Sequence, residues 1–262
     1  MGSASKIEWT DNTFNIVHGC TKVSPACDFC YAELWDSRHL YDTKSHWGPK
    51  APRLKMSEGY WKQPVSWNRS AESQGKKLKV FCSSMADVFE SHPDVASERL
   101  KLWELIEATP YLIWQLLTKR PHNILAMVPK RWKSCFPSNV WAMTTTEDQQ
   151  WFDVRAKQLK KVPATVLGFS CEPLLGEIKL GKVLDGIEPE RLWMIAGGES
   201  SNSPLKCRPT QHSWFVGLRD QCKQRGIPFF FKQWGNRHED GVYTGEKSYR
   251  LLDGKEWSQF PP

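Results

Sequence analysis

The chain has 262 residues, 40% hydrophobic and 25% charged, with a formal net charge of +7. That size and balance suit one α/β barrel domain with a sizeable core, and exclude disordered, fibrous and collagen-like chains. No stretch approaches the roughly 20 apolar residues of a membrane span, and the start lacks the apolar core of a secretory signal, so a cytoplasmic location is expected.

Short apolar runs that end in polar clusters alternate with helical stretches, the rhythm of a β/α fold with a parallel sheet. Strands are predicted near residues 13–17, 79–82, 113–117, 140–143, 165–169, 192–196 and 228–231. Residues 98–108 and 213–225 have helical apolar spacing, the second stopped by Gly226 and Pro228. Residues 47–75 carry Gly48, Pro49, Pro52, Gly59 and Pro64 and are read as an irregular insertion. The tail, 236–262, is read as a small extension with a β element around 242–252, not a second domain. The expected fold class is therefore α/β, a partial or complete (β/α) TIM-like barrel in a single domain, 1–262.

Polar clusters follow the predicted strands at 19–31, 83–87, 118–121, 144–148, 170–173, 197–201 and 232–235. In a β/α barrel such positions open on the C-terminal face, where active sites are built. Tryptophans and basic residues interleave between Trp47 and Lys79, a pattern that fits base stacking beside phosphate contacts. Packing around a barrel is the alternative, and composition favours it.

Eight cysteines in a reducing compartment are not a disulfide framework. Cys82, Cys135, Cys171, Cys207 and Cys222 stand singly and are expected to be buried, inert thiols. Cys20, Cys27 and Cys30 cluster in one loop after the first strand. Three thiolates can hold three irons of a [4Fe-4S] cluster and leave the fourth open, whereas an electron carrier supplies a fourth cysteine. The competing reading is a structural zinc site completed by His18 or a distant histidine. Only Cys27 and Cys30 form the short pair that zinc sites repeat.

With Phe29 just before the last cysteine, this loop resembles the C-x3-C-x2-C motif of the radical S-adenosylmethionine (SAM) superfamily. Its first gap is six residues rather than three. Lys6-Ile7-Glu8-Trp9-Thr10-Asp11, Ser84-Met85-Ala86-Asp87-Val88-Phe89, Leu117-Thr118-Lys119-Arg120-Pro121, Gly197-Gly198-Glu199-Ser200 and Phe229-Phe230-Phe231-Lys232-Gln233-Trp234-Gly235 narrow the likeness. Together with the cysteine loop they resemble the phage-associated three-Cys-motif family.

The resemblance implies a radical SAM barrel in which Cys20, Cys27 and Cys30 ligate the cluster. SAM chelates the open iron and is cleaved to a 5′-deoxyadenosyl radical that abstracts hydrogen. Phe29, Ser83, Ser84 and Asp87 are the candidates for holding SAM, with Asp87 placed to accept its ammonium. Thr145 and Glu147 are candidates for the ribose, and Gly197, Gly198 and Glu199 for close backbone approach and a ribose or substrate contact. Glu172, Lys119, Arg120, Lys232 and Trp234 are candidates for substrate, through charge and base stacking.

By the same resemblance, the substrate is expected to be a thymine base decorated in phage DNA, isomerised after hydrogen abstraction from the α-carbon of an attached glycyl group. A flavodoxin or ferredoxin would supply electrons, in the host cytoplasm. A lyase similar to spore photoproduct lyase, acting on a thymine dimer, is a second enzyme reading, and a peptide or small-metabolite substrate a third. A zinc-containing, non-catalytic nucleic-acid-binding module is the reading from another class. Iron and sulfide analysis after anaerobic purification separates it from the enzyme.

Overall fold

The computed structural model describes residues 5–39, 44–200, 207–238, 240–245 and 249–262. The chain divides into two compact units: Met1–Val23, Ala32–Ala142 and Val162–Thr165, and then Ser24–Tyr31, Met143–Lys161 and Val166–Pro262.

Every predicted strand is present: β1 (Asn12–Phe14), β2 (Leu78–Cys82), β3 (Leu112–Thr118), β4 (Val140–Thr145), β5 (Val166–Cys171), β6 (Leu192–Gly197) and β7 (Phe229–Gln233). They form one seven-stranded sheet in which hydrogen-bonded neighbours run in chain order. The ladders of β1 with β2, β2 with β3, β5 with β6 and β6 with β7 are parallel. Residues of β4, β5 and β6 are buried throughout, which explains their near-continuous apolar sequence: a parallel strand covered on both faces cannot alternate.

β1 is shorter than expected because Asn15 leaves the ladder. Its backbone N–H donates to the Tyr60 hydroxyl at 3.0 Å, and its Oδ1 accepts from Met85 N at 2.7 Å. Val17–His18 pairs instead with Leu54–Lys55, antiparallel.

The main helices are α1 (Tyr31–Arg38), α2 (Gln63–Ser73), α3 (Pro93–Glu107), α4 (Gln149–Leu159) and α5 (His212–Arg225). The region 47–75 is thus not irregular throughout. Pro64 stands in the first turn of α2, where an absent N–H leaves no helical bond unmade. α3 begins before its apolar spacing does, since the His92 ring caps Asp94 N and Pro93 opens the helix. α4 escaped the sequence reading although Asp148 caps Trp151 N at 2.9 Å and Phe152, Ala156 and Leu159 line its buried face.

The C-terminal β element expected around 242–252 is met in part: Tyr243 bridges Arg237, residues 246–248 lie outside the described residues, and Leu251–Leu252 pairs with Lys255–Glu256 in a hairpin. Its turn residues Asp253 and Gly254 have φ of 53° and 69°, the pair of positive values that a two-residue hairpin turn demands. Among the scattered cysteines Cys82, Cys171, Cys207 and Cys222 are buried as expected, but Cys135 is exposed. Many tryptophans are core: Trp9, Trp114, Trp132, Trp193 and Trp234 are almost fully buried. Trp61, from the region considered for stacking, packs edge-on against Phe14 at 5.2 Å. Among the described residues no helix is long and apolar enough to cross a membrane.

Gly217 lies inside α5, and a Cβ there meets nothing within 4 Å. Gly217→Ala is therefore expected to raise stability by about 0.5–1 kcal/mol through lost unfolded-state freedom. Urea unfolding monitored by circular dichroism checks it, and a lowered midpoint contradicts it.

Candidate cysteine-loop site

In the first unit the chain is held on both sides of the Cys20 Cα by backbone hydrogen bonds. Gly19 N donates to Met85 O at 3.0 Å, and Cys20 O accepts from Gly48 N at 2.9 Å. Gly19 has φ of +114°, and a Cβ there would stand 2.3 Å from His46 O. Only glycine fits this approach. His46 is itself pinned, its ring Nδ1 2.8 Å from Asp36 Oδ1 and both side chains buried.

Two buried arginine–carboxylate pairs close on the next residue. Arg53 forks onto Glu90 at 3.0 and 2.9 Å and donates to the Thr21 hydroxyl at 3.0 Å. Arg120 donates to Asp87 Oδ2 at 2.8 Å and to Thr21 O at 2.7 Å, and its Nη1 lies 3.8 Å from Cys20 Sγ. Asp87 also accepts from the Thr118 hydroxyl at 2.7 Å, Lys119 N at 3.1 Å and Phe89 N at 3.0 Å. Burial pushes the Cys20 thiol up to about 12, with Asp87 and Glu90 adding to the rise and Arg120 opposing it. A bound metal ion would override this, because coordination removes the thiol proton.

In the second unit Cys27 ends the 3-10 turn Pro25–Cys27, and Cys30 directly precedes α1. Ala26 N, inside that turn, lies 3.4 Å from the fully buried Glu147 Oε1, whose other oxygen accepts from Arg155 at 2.6 Å. Arg155 also donates to Thr145 O at 2.9 Å. Arg208 donates to Glu199 Oε2 through its backbone N–H at 3.0 Å and its Nε at 2.8 Å. The same guanidinium lies 3.4 Å from Asp28 and 5.1 Å over the Phe29 ring.

The other sequence candidates are placed as follows. Ser83 is buried with its hydroxyl 3.3 Å from Cys82 Sγ, and the Ser84 hydroxyl accepts from Asn15 Nδ2 at 3.1 Å. Glu172 pairs with Lys232 at 2.7 Å, and Lys119 is half-buried after β3. The close approach of Gly198 is to its own chain, since a Cβ there would stand 1.9 Å from Trp234 O. Trp234 is a core residue with its indole N–H on Leu251 O at 2.9 Å, and its ring packs with Phe215 and Phe231. It offers no face for a base, which corrects the stacking expectation.

Arg53, Glu90, Arg155 and Arg208 escaped the sequence reading. Each is a lone charged residue, and nothing in a single sequence separates a buried ion pair from a solvated side chain. Cys20, Cys27 and Cys30 are each free thiols, the donor type that iron–sulfur clusters take, and Cys20 stands beside a cation. Among the described residues no group of three or more His, Cys, Asp or Glu side chains stands ready to hold a metal ion.

Gly19→Ala is expected to lower stability by roughly 2–4 kcal/mol, since the added carbon meets a backbone carbonyl in a conformation that L-residues avoid. Chemical denaturation of the metal-free protein measures it, and an unchanged midpoint would mean that the His46 segment yields.

Among curated proteins no match is found. Solved structures of spore photoproduct lyase are similar in fold. A variant with bound AdoMet and dinucleoside spore photoproduct has a TM-score of 0.50 at 14% identity, covering 71% of this chain and 56% of the lyase. A second variant gives 0.51 at 16% identity, covering 74% and 58%. A third, with the dinucleoside, gives 0.51 at 14%, covering 85% and 62%. The chain thus spans about three-fifths of the length of these structures. At such identity the likeness is one of fold: α/β, with a seven-stranded parallel sheet like the partial barrel of radical SAM enzymes. Residues 4–261 match the family described as protein of unknown function (DUF5131), and the chain belongs to that family.

Proposed function

We propose that this chain is a radical SAM enzyme of the three-Cys-motif kind, with Cys20, Cys27 and Cys30 as the ligands of a [4Fe-4S] cluster. One observation carries the reading: charged side chains, two of them buried and one part-buried, are committed to the single loop that bears these thiols. Arg120 holds Thr21, Glu147 reaches Ala26, and Arg208 reaches Asp28. When bound, cluster and SAM together supply a 5′-deoxyadenosyl radical that removes hydrogen from an unactivated carbon.

The chain's own residues bind, orient and exclude water. The carboxylate of Asp87 already accepts four donors, so we assign it to supporting Arg120 rather than to the SAM ammonium. Ser83 and Ser84 remain the proposed contacts for that ammonium, with Thr145 for the ribose. Glu147, and Glu199 through Arg208, steady the loop, and Phe29 packs under Arg208 beside Cys30. The Glu172–Lys232 pair and Lys119 are proposed to meet the substrate.

For the substrate we propose a modified thymine in phage DNA, isomerised after hydrogen abstraction, with electrons from a flavodoxin or ferredoxin in the host cytoplasm. The net charge of +7 and the likeness to a lyase solved with a dinucleoside support a nucleic-acid substrate. The same likeness favours a second reading, a lyase acting on a thymine dimer. Nucleoside mass spectrometry after incubation with SAM, reductant and phage or irradiated DNA tells the two apart.

Replacing any one of Cys20, Cys27 or Cys30 by alanine is expected to abolish 5′-deoxyadenosine production under anaerobic reducing conditions. Cys135→Ala, at an exposed thiol, should leave it largely intact. Full production by Cys27→Ala lacking a cluster would refute the proposal. DNA binding should weaken steeply across a salt series, because neutralised phosphates release counterions. Replacing the exposed Lys76 and Lys77 by alanine should flatten the slope if they touch the backbone. No affinity at low salt would remove DNA as the direct substrate.

A further inference from the structure

We infer that Arg120 is a positioning residue for the sulfur of Cys20, and that its N–H and charge set how readily the cluster accepts an electron. The inference rests on the reading of Cys20 as a cluster ligand. Arg120 is 7% exposed, and its guanidinium is fixed by partners on both terminal nitrogens. Nη1 meets Asp87 at 2.8 Å, and Nη2 meets Thr21 O at 2.7 Å and Glu90 Oε1 at 3.5 Å. With the plane so held, Nη1 stands 3.8 Å from Cys20 Sγ, a distance at which an N–H still reaches a large, diffuse sulfur.

The need for a cation here follows from its surroundings. Asp87 and Glu90 are both buried, and the guanidinium that reaches Cys20 meets each of them, at 2.8 and 3.5 Å. Without Arg120 these two carboxylates would face an anionic sulfur in a medium that screens poorly. A lysine cannot replace the fork, since one ammonium cannot meet carboxylate, carbonyl and sulfur in the same plane. A cation and a hydrogen bond at a ligand sulfur stabilise the more negative, reduced cluster, and so raise its potential.

The test uses the full chain, reconstituted anaerobically without SAM and checked for iron and sulfide. Redox titration followed by electron paramagnetic resonance then compares wild type with Arg120→Gln and Arg120→Lys. Arg120→Gln should disfavour reduction at least tenfold, about 59 mV for one electron. Arg120→Lys, which keeps the charge and loses the fork, should shift less. In wild type labelled with 15N-arginine, the reduced cluster should show hyperfine coupling to an arginine nitrogen, a readout that needs no variant to fold. An unchanged potential in Arg120→Gln, or no arginine coupling in wild type, overturns this inference alone. A wild type that holds no iron and sulfide overturns it together with the cluster reading.

Discussion

The structure around the thiols depends on charge buried where charge is costly. Arg53 with Glu90, Arg120 with Asp87, and Arg155 with Glu147 are all nearly excluded from water. Such pairs add little net stability, because desolvation offsets most of their attraction, but losing one partner leaves an uncompensated ion at a cost of roughly 3–5 kcal/mol. They are therefore stiff rather than strong. A loop needs stiffness if its side chains must keep one geometry, and these pairs turn their spare hydrogen-bonding capacity on the loop: Arg53 and Arg120 on Thr21, Glu147 on Ala26.

The sheet was legible in the sequence because buried parallel strands leave continuous apolar runs, and all the predicted strands overlap those of the structure. Helix boundaries were less so. α2 was masked by Pro64, which reads as a breaker until its first-turn position is known, and α4 by a polar surface that dilutes its apolar spacing. The Asp253-Gly254 turn carries a plain hairpin signal, and the β element expected around 242–252 stops just short of it.

At the site, residue type and spacing revealed the thiols but not their supports. Asp87 was singled out by its place after a strand, and its partners are legible only in three dimensions. Arg208 lies far along the chain from Asp28, and a single sequence offers no link between them. The Gly-Gly-Glu segment drew attention for ligand approach, yet Gly198 is there because Trp234 is.

That last contact has a counterpart. A Cβ on Gly235 would stand 2.2 Å from Glu199 O, as one on Gly198 would meet Trp234 O. Gly198 N bonds to Gln233 O at 2.9 Å, and Asn236 N to Glu199 O at 3.1 Å. Two parallel strand ends thus run side by side with a missing side chain on each, like timbers notched to lie flush. Neither notch can be filled by adjusting the other, so the two glycines form one joint. Two short segments far apart in sequence, Gly198-Glu199 and Trp234-Gly235, make a paired signature for this joint, and change in one is constrained by the other.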